Sequence, residues 1–156
     1  MNYVIAGPPG SGKTTLAHKR AQYGDAIVDV DALFAALSGQ ALYAKPVGLL
    51  PVVAAARDAA VARIAQGIAG DAYVITADGQ RATHNALRER LDAELIVLEV
   101  DAETCKARLL QDNRRDADTD WPALVDAWWR DYGASAGAQG RLRLLRLAEE
   151  ELCDSG

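Results

Sequence analysis

Cysteine is scarce in this chain: Cys105 and Cys153 are the only two in 156 residues. Two cysteines cannot build a disulfide framework. With His18 and His84 at no metal-ligand spacing, they make no metal cluster either. Both are expected to be free thiols in a reducing compartment, which fits a cytoplasmic location. Basic charge does not dominate: 17 Lys and Arg face 22 Asp and Glu, a net charge of −5. That balance excludes broad, non-specific nucleic-acid binding and leaves room only for a small local basic site. Unbroken apolar runs are missing too. The longest apolar stretch, Val47 to Ala69, is interrupted by Pro51, Arg57, Asp58, Arg63 and Gln66. It reads as a helix of a soluble domain, with no membrane partner. The first strand opens almost at Met1, so no signal peptide is expected. Repeats and low-complexity segments are absent. What remains is half hydrophobic and a quarter charged, the balance of one globular domain with a real core.

One stretch organises that domain. Gly7-Pro8-Pro9-Gly10-Ser11-Gly12-Lys13-Thr14 matches the phosphate-loop pattern G-x-x-x-x-G-K-[ST] at every fixed position. Asn2 to Ala6 reads as a strand before it, and Thr15 to Arg20 as helix after it. A strand, a glycine turn and a helix N-terminus make a cradle whose N–H groups and dipole favour an anion. Lys13 is expected to neutralise the β- and γ-phosphates, and the Thr14 hydroxyl to ligate Mg²⁺.

Further along, Ala26 to Val30 reads as a second strand ending at Asp31, with helix from Ala32 to Leu37. Residues 39–46 form a loop ending at Lys45-Pro46. A long alanine-rich helix follows from about Leu50, with Pro51 in its first turn, and stops near Gly70. Ala72 to Thr76 is a third strand, Thr83 to Leu91 a helix, and Glu94 to Val100 a fourth strand. Ala102 to Gln111 is helix, residues 112–120 a dense polar run, and Trp121 to Tyr132 helix again. The tail 141–152 fits a helical face, although Arg141-Leu142-Arg143-Leu144 also alternates like a strand. Alternating strands and helices predict an α/β three-layer P-loop NTPase fold. Its parallel sheet has four or five strands, with helices on both faces and ligands at the carboxyl ends of the strands. Residues 1–132 form the kinase-like domain, with a lid at about 111–120. Residues 133–156 are a flexible connection and a C-terminal helix on the same domain.

Three acidic positions fall at strand ends. Asp31 suits a general base that takes the acceptor hydroxyl's proton, or a cap for the helix at Ala32. Asp29, two residues earlier, is the reserve candidate for the base or for a water-mediated Mg²⁺ contact. Asp78 suits Mg²⁺ held through its waters, or a plain Asp-Gly turn. The third position is Asp101. Arg108, Arg114 and Arg115 suit mobile lid cations, better at 114 and 115, although four surrounding aspartates also suit a self-paired, solvated cluster. Arg81 suits a substrate phosphate or solvent. Arg57 and Arg63 suit an acceptor or a solvated helix face. Trp121, Trp128 and Trp129 share a helical face and suit core or interface packing.

From the loop to about Tyr132 the chain resembles the P-loop kinase family. Within it, the 5′-polynucleotide-kinase-like and zeta-toxin-like small AAA-type ATP-binding kinases are most similar. The resemblance rests on Gly7 to Thr15, on Asp31 after the second strand, on Asp78-Gly79-Gln80, on Asp101, and on Gln111-Asp112-Asn113-Arg114-Arg115 as a lid. The chain departs at Phe34, where the group often has an arginine for the substrate phosphate, and at Gly79, where it has threonine. Both departures fall on the acceptor side. The short segment between the second and third strands also suits gluconate-type and shikimate-type kinases.

The expected activity is therefore ATP-dependent phosphoryl transfer to a hydroxyl on a nucleic-acid 5′ end, a nucleotide or a small molecule. The loop residues Gly7, Pro8, Pro9, Gly10, Ser11, Gly12, Lys13, Thr14 and Thr15 hold ATP, and Thr14 and Asp78 hold Mg²⁺. Lys13, Asp31, Arg114 and Arg115 are catalytic. The absence of a guanine-reading Asn-Lys-x-Asp segment makes ATP the default nucleotide. The alternative is a nucleotide-binding ATPase or switch module acting through a protein partner.

Overall fold

A computed structural model describes residues 1–134 together with residues 143 and 144. In chain order the elements are β1 (Asn2–Ala6), α1 (Lys13–Arg20), β2 (Ala26–Val28), α2 (Val30–Ser38), α3 (Leu50–Ala65), β3 (Ala72–Thr76), α4 (Arg81–Leu91), β4 (Glu94–Val97), α5 (Ala102–Gln111), α6 (Trp121–Ala134) and β5 (Arg143–Leu144). A 3-10 turn, Val47–Leu49, leads into α3. The strands form one parallel sheet in the order β2-β3-β1-β4-β5. This is the α/β fold that the alternation predicts.

β1 lies at the centre, with Val4 opposite Val74 of β3 and Leu95 of β4. Alternate residues of its apolar run serve two cores, as the period of a strand requires. Val4 and Ala6 face Val61 and Ile64 of α3, Leu87 and Leu91 of α4, and Trp128 and Tyr132 of α6. Ile5 faces Leu16 and Ala17 of α1 on the other side. A third cluster, Cys105, Leu109 and Val125, joins α5 to α6. The phosphate loop thus leaves the central strand of the sheet, and the ends of β2 and β3 lie to one side of it.

Several element ends differ from the sequence reading. β2 stops at Val28, and α2 begins at Val30 rather than Ala32. The reason is local: the Asp29 carboxylate accepts from the Asp31 N–H and caps the helix two residues early. α3 ends at Ala65, before Gly67, which takes a φ of +95°. α4 starts at Arg81, β4 ends at Val97, and α6 runs through Gly133 to Ala134. Asp101 caps α5 by accepting from Thr104 N–H. Arg143–Leu144 takes the strand alternative, beside β4; its alternating pattern suits that pairing. The rest of the helix expected over 141–152 lies outside the described residues. Among the described residues no helix is long and apolar enough to cross a membrane.

Candidate active site

The glycines of the loop are there for conformation and for space. Gly10 and Gly12 hold φ of +79° and +91°, left-handed values that favour glycine. A Cβ on Gly10 would meet the Cys105 carbonyl at 2.7 Å, so the turn lies against α5. Gly12 is also the N-cap of α1, and no side chain caps that end. The first N–H groups of α1 therefore have no side-chain acceptor at that end. Ser11 is buried beneath the turn, and its hydroxyl has no hydrogen-bond partner among the described residues.

Lys13 folds back over the loop. Its Nζ donates to the carbonyls of Gly7 and Pro8 at 2.8 and 2.9 Å. Burial pushes the ammonium down to about 8. Thr14 is directed to Asp29: its hydroxyl donates to Oδ2 at 2.8 Å. Asp29 therefore both caps α2 and meets the residue expected to hold Mg²⁺. The capping role considered for Asp31 belongs to Asp29 instead.

Asp31 sits in the first turn of α2, and its Oδ1 pairs with Lys45 Nζ at 2.6 Å. Across the cleft, the Asp78 carboxylate closes its own turn. Oδ1 accepts from Gln80 N–H at 2.7 Å and Oδ2 from the Thr83 hydroxyl at 3.0 Å. The Asp78 carbonyl takes two further donors, Trp128 Nε1 at 3.1 Å and His84 Nε2 at 2.6 Å. Because the acceptor is a carbonyl, His84 carries its proton on Nε2, and burial lowers its pKa. Gly79 explains its own departure from threonine: a Cβ there would meet the Trp128 carbonyl at 2.6 Å. Helix α6 packs too closely for a side chain.

The two arginines expected in a lid differ in their surroundings. Arg114 is 61% exposed and grips Asp112 through Nε at 2.7 Å and a second nitrogen at 3.0 Å. Hydrogen bonds from Arg114, with lesser help from Arg115, hold the Asp112 carboxyl down to about 2. Arg115 is only 15% exposed. Its guanidinium lies 3.7 Å from the Tyr43 ring centroid and 4.7 Å from that of Trp121. Asp112 thus pairs with both arginines, with Arg114 through two bonds and with Arg115 through one of 3.3 Å, and Arg115 is in addition held between two rings.

These groups line one cleft of about 1040 Å³, into which Lys13, Thr14, Asp29, Asp31, Asp78, Arg108, Arg114 and Arg115 all reach. Arg57 lines it too, but Arg63 does not; it bonds Gln66 on its own helix turn. Arg81 does not line the cleft: its Nε donates to the Tyr132 carbonyl and its guanidinium covers that ring at 4.0 Å. Phe34 is buried and lies outside the cleft. Trp128 is core, as its helical face suggests, yet it and Trp121 also form cleft wall. The sequence reading missed Tyr43 and Lys45. Both sit in segment 39–46, whose composition says only loop; the one signal is a cation placed before Pro46.

A family model described as an AAA domain matches residues 3–134. Among solved structures, the chain is similar to a protein of the Pnkp1/Rnl/Hen1 RNA repair complex. The TM-score is 0.67 and the identity 13%, over 86% of this chain and 44% of that one. The chain thus spans less than half the length of that protein. It is also similar to a gluconokinase from Sinorhizobium meliloti 1021, with a TM-score of 0.57 and 18% identity over 92% of this chain and 79% of that one. A sugar kinase from Janibacter sp. HTCC2649 has a TM-score of 0.53 and 21% identity over 97% and 88% of the two chains. No curated protein matches the chain. With the sheet order, the glycine cradle and a family model running from β1 to the end of α6, the chain belongs to the AAA domain family and has the fold of the small P-loop kinases.

Proposed function

We propose that the chain is an ATP-dependent phosphotransferase that moves the γ-phosphoryl group to a hydroxyl acceptor. The observation that carries this reading is the presence of Lys13 and Asp31 in one cleft. One is a phosphate-neutralising cation and the other a carboxylate able to accept a proton. An anion fits the loop: the α1 N-terminus lacks a side-chain cap, and the Lys13 ammonium stands beside it. Within Gly7 to Thr15, the backbone N–H groups of the residues other than Pro8 and Pro9, together with the Lys13 ammonium, hold the triphosphate. Thr14 and Asp29 are the protein groups best arranged to hold Mg²⁺, which takes few protein ligands beside phosphates and waters. Asp78 remains the carboxylate for a contact through water. When bound, the metal neutralises charge on the β- and γ-phosphates.

In the transfer, Asp31 accepts the proton of the acceptor hydroxyl. The acceptor oxygen bonds to the γ-phosphorus, the bond to the bridging oxygen breaks, and ADP leaves. Arg115, freed from its aromatic slot, supplies positive charge to the transferred group, with Arg114 in support. The fold likeness to a gluconokinase and a sugar kinase supports a hydroxyl acceptor.

The test is ATP turnover with and without hydroxyl acceptors, in wild type, Lys13→Ala and Asp31→Ala. Acceptor-dependent turnover lost in both variants supports a phosphotransferase. Acceptor-independent hydrolysis that survives Asp31→Ala points to an ATPase module instead.

A further inference from the structure

Tyr43 stands in a conformation that its side chain disfavours. Its φ is +73°, and the Ala44 N–H donates to the Ala41 carbonyl across it at 3.1 Å. A four-residue turn with a positive φ at its third residue ordinarily carries glycine or asparagine there. Among the described residues one other non-glycine, Asp92, has a positive φ, and Asp92 ends α4, where that conformation is usual. A bulky residue held this way needs a contact that offsets the strain. For Tyr43 that contact is Arg115, whose guanidinium lies 3.7 Å from the ring centroid. The second ring, Trp121 at 4.7 Å, is the first residue of α6, so one side of the slot is helix and the other is the turn. Arg115 also acts on the phosphate loop: burial is the main reason that the Lys13 pKa is low, and the Arg115 charge adds to it. Two cations repel unless an anion lies between them, so a bound triphosphate turns that repulsion into attraction. The turn lies beside Asp31 as well, because Lys45, two residues after Tyr43, reaches that carboxylate at 2.6 Å.

We propose that the turn at 41–44 is a strap whose Tyr43 parks Arg115 away from the transferred phosphoryl group until an acceptor is seated at Asp31. This rests on the phosphotransferase reading and names a regulation of that same site. Nucleotide alone leaves Arg115 stacked on Tyr43. An acceptor reaching Asp31 displaces the turn, Tyr43 leaves its strained conformation, and Arg115 is released to the γ-phosphoryl group. The reaction that the strap restrains is transfer to water. There a water oxygen bonds to the γ-phosphorus, the bond to the bridging oxygen breaks, ADP leaves, and Asp31 takes the proton.

The test compares the full chain with Tyr43→Gly, Tyr43→Asn and Tyr43→Phe. Glycine and asparagine suit the positive φ and lack the ring, so the turn keeps its shape while Arg115 loses a partner. Phenylalanine keeps the ring face and with it the cation–π contact. Two quantities are read. Phenylglyoxal labelling of the nucleotide-free chain, followed by peptide mass spectrometry, measures the exposure of Arg115 against Arg114, which is mostly exposed already. ATP hydrolysis with Mg²⁺ and no acceptor measures the restraint. Both the labelling ratio and the hydrolysis rate are expected to rise about five- to tenfold in the glycine and asparagine variants, the worth of one such contact. Both are expected to stay at the wild-type level in Tyr43→Phe. Either quantity unchanged in the two ringless variants, a rise in Tyr43→Phe, or a fall in hydrolysis would overturn the strap; the fall would mean that Tyr43 places Arg115 for transfer instead of withholding it. Acceptor-dependent turnover in wild type, lost in Lys13→Ala, judges the phosphotransferase reading separately. If that reading fails, the labelling ratio still decides whether Tyr43 holds Arg115.

Discussion

The Thr14 hydroxyl donates to Asp29 Oδ2 across 2.8 Å, tying the start of α1 to the cap of α2. The same carboxylate accepts from the Asp31 N–H at 2.9 Å. Position and capping are thus served by one side chain, and they can be separated chemically. Asparagine caps a helix about as well as aspartate. Asp29→Asn should therefore melt within a few degrees of wild type while its Mg²⁺ requirement for turnover rises about tenfold, the loss of one charge contact. Asp78→Asn should shift that requirement much less. A metal titration of both variants decides between them; the reverse order would return the metal to Asp78.

Lys13 makes nucleotide affinity depend on pH. Its pKa in the free protein is lowered by burial to about 8. A bound triphosphate favours the ammonium and so raises the pKa. Above pH 8 the free protein must take up a proton to bind, so affinity falls as pH rises, by up to about tenfold per unit. Below pH 8 the profile is flat with respect to this group. Lys13→Arg, charged throughout, should bind more weakly at neutral pH but lose the slope. Equilibrium titration of an ATP analogue from pH 7 to 9.5 measures both.

Gly79→Ala should destabilise the fold by about 1–3 kcal/mol, the usual cost of forcing atoms into a packed contact. The obstruction is backbone, the Trp128 carbonyl at 2.6 Å from the added Cβ, so it cannot move aside as a side chain would. Gly79→Thr should be worse. Thermal unfolding of the pair reads the effect, and an unchanged midpoint would mean that α6 sits further from the β3 end.

Arg115→Ala should reduce phosphoryl transfer about 10²- to 10³-fold, the range for losing one charge-stabilising donor. Arg114→Ala should cost less, because its side chain is mostly exposed and bonds Asp112 twice, against the single longer bond from the more buried Arg115. Single-turnover rates at saturating ATP make the comparison. Equal losses would argue that the Tyr43 and Trp121 slot has no bearing on the chemistry.

Much of this was legible in the residues. Phosphate-loop chemistry survives in sequence because the glycines and Lys13 must stand at fixed spacing, and the apolar strands around it are equally periodic. The acceptor side was less so. Segment 39–46 has no period, and Tyr43 takes a φ of +73° that its identity does not announce. Its ring meets Arg115, 72 positions along the chain by number, and Lys45 meets Asp31 only because the loop folds back. The start of α2 was misjudged for a simpler reason. Two aspartates stand two positions apart, and either can cap; the end of β2 at Val28 selects Asp29.

The Asp78 carbonyl uses both lone pairs, one on α4 through His84 and one on α6 through Trp128. The turn after β3, α4 and α6 therefore meet at a single atom. The other end of the 112–120 segment is fixed as well, because α5 packs on α6 through Cys105, Leu109 and Val125. If that segment moves as the lid of the proposed transfer, its hinge lies within it, between Asp112 and Trp121, and its stroke is limited to the slack of those few residues.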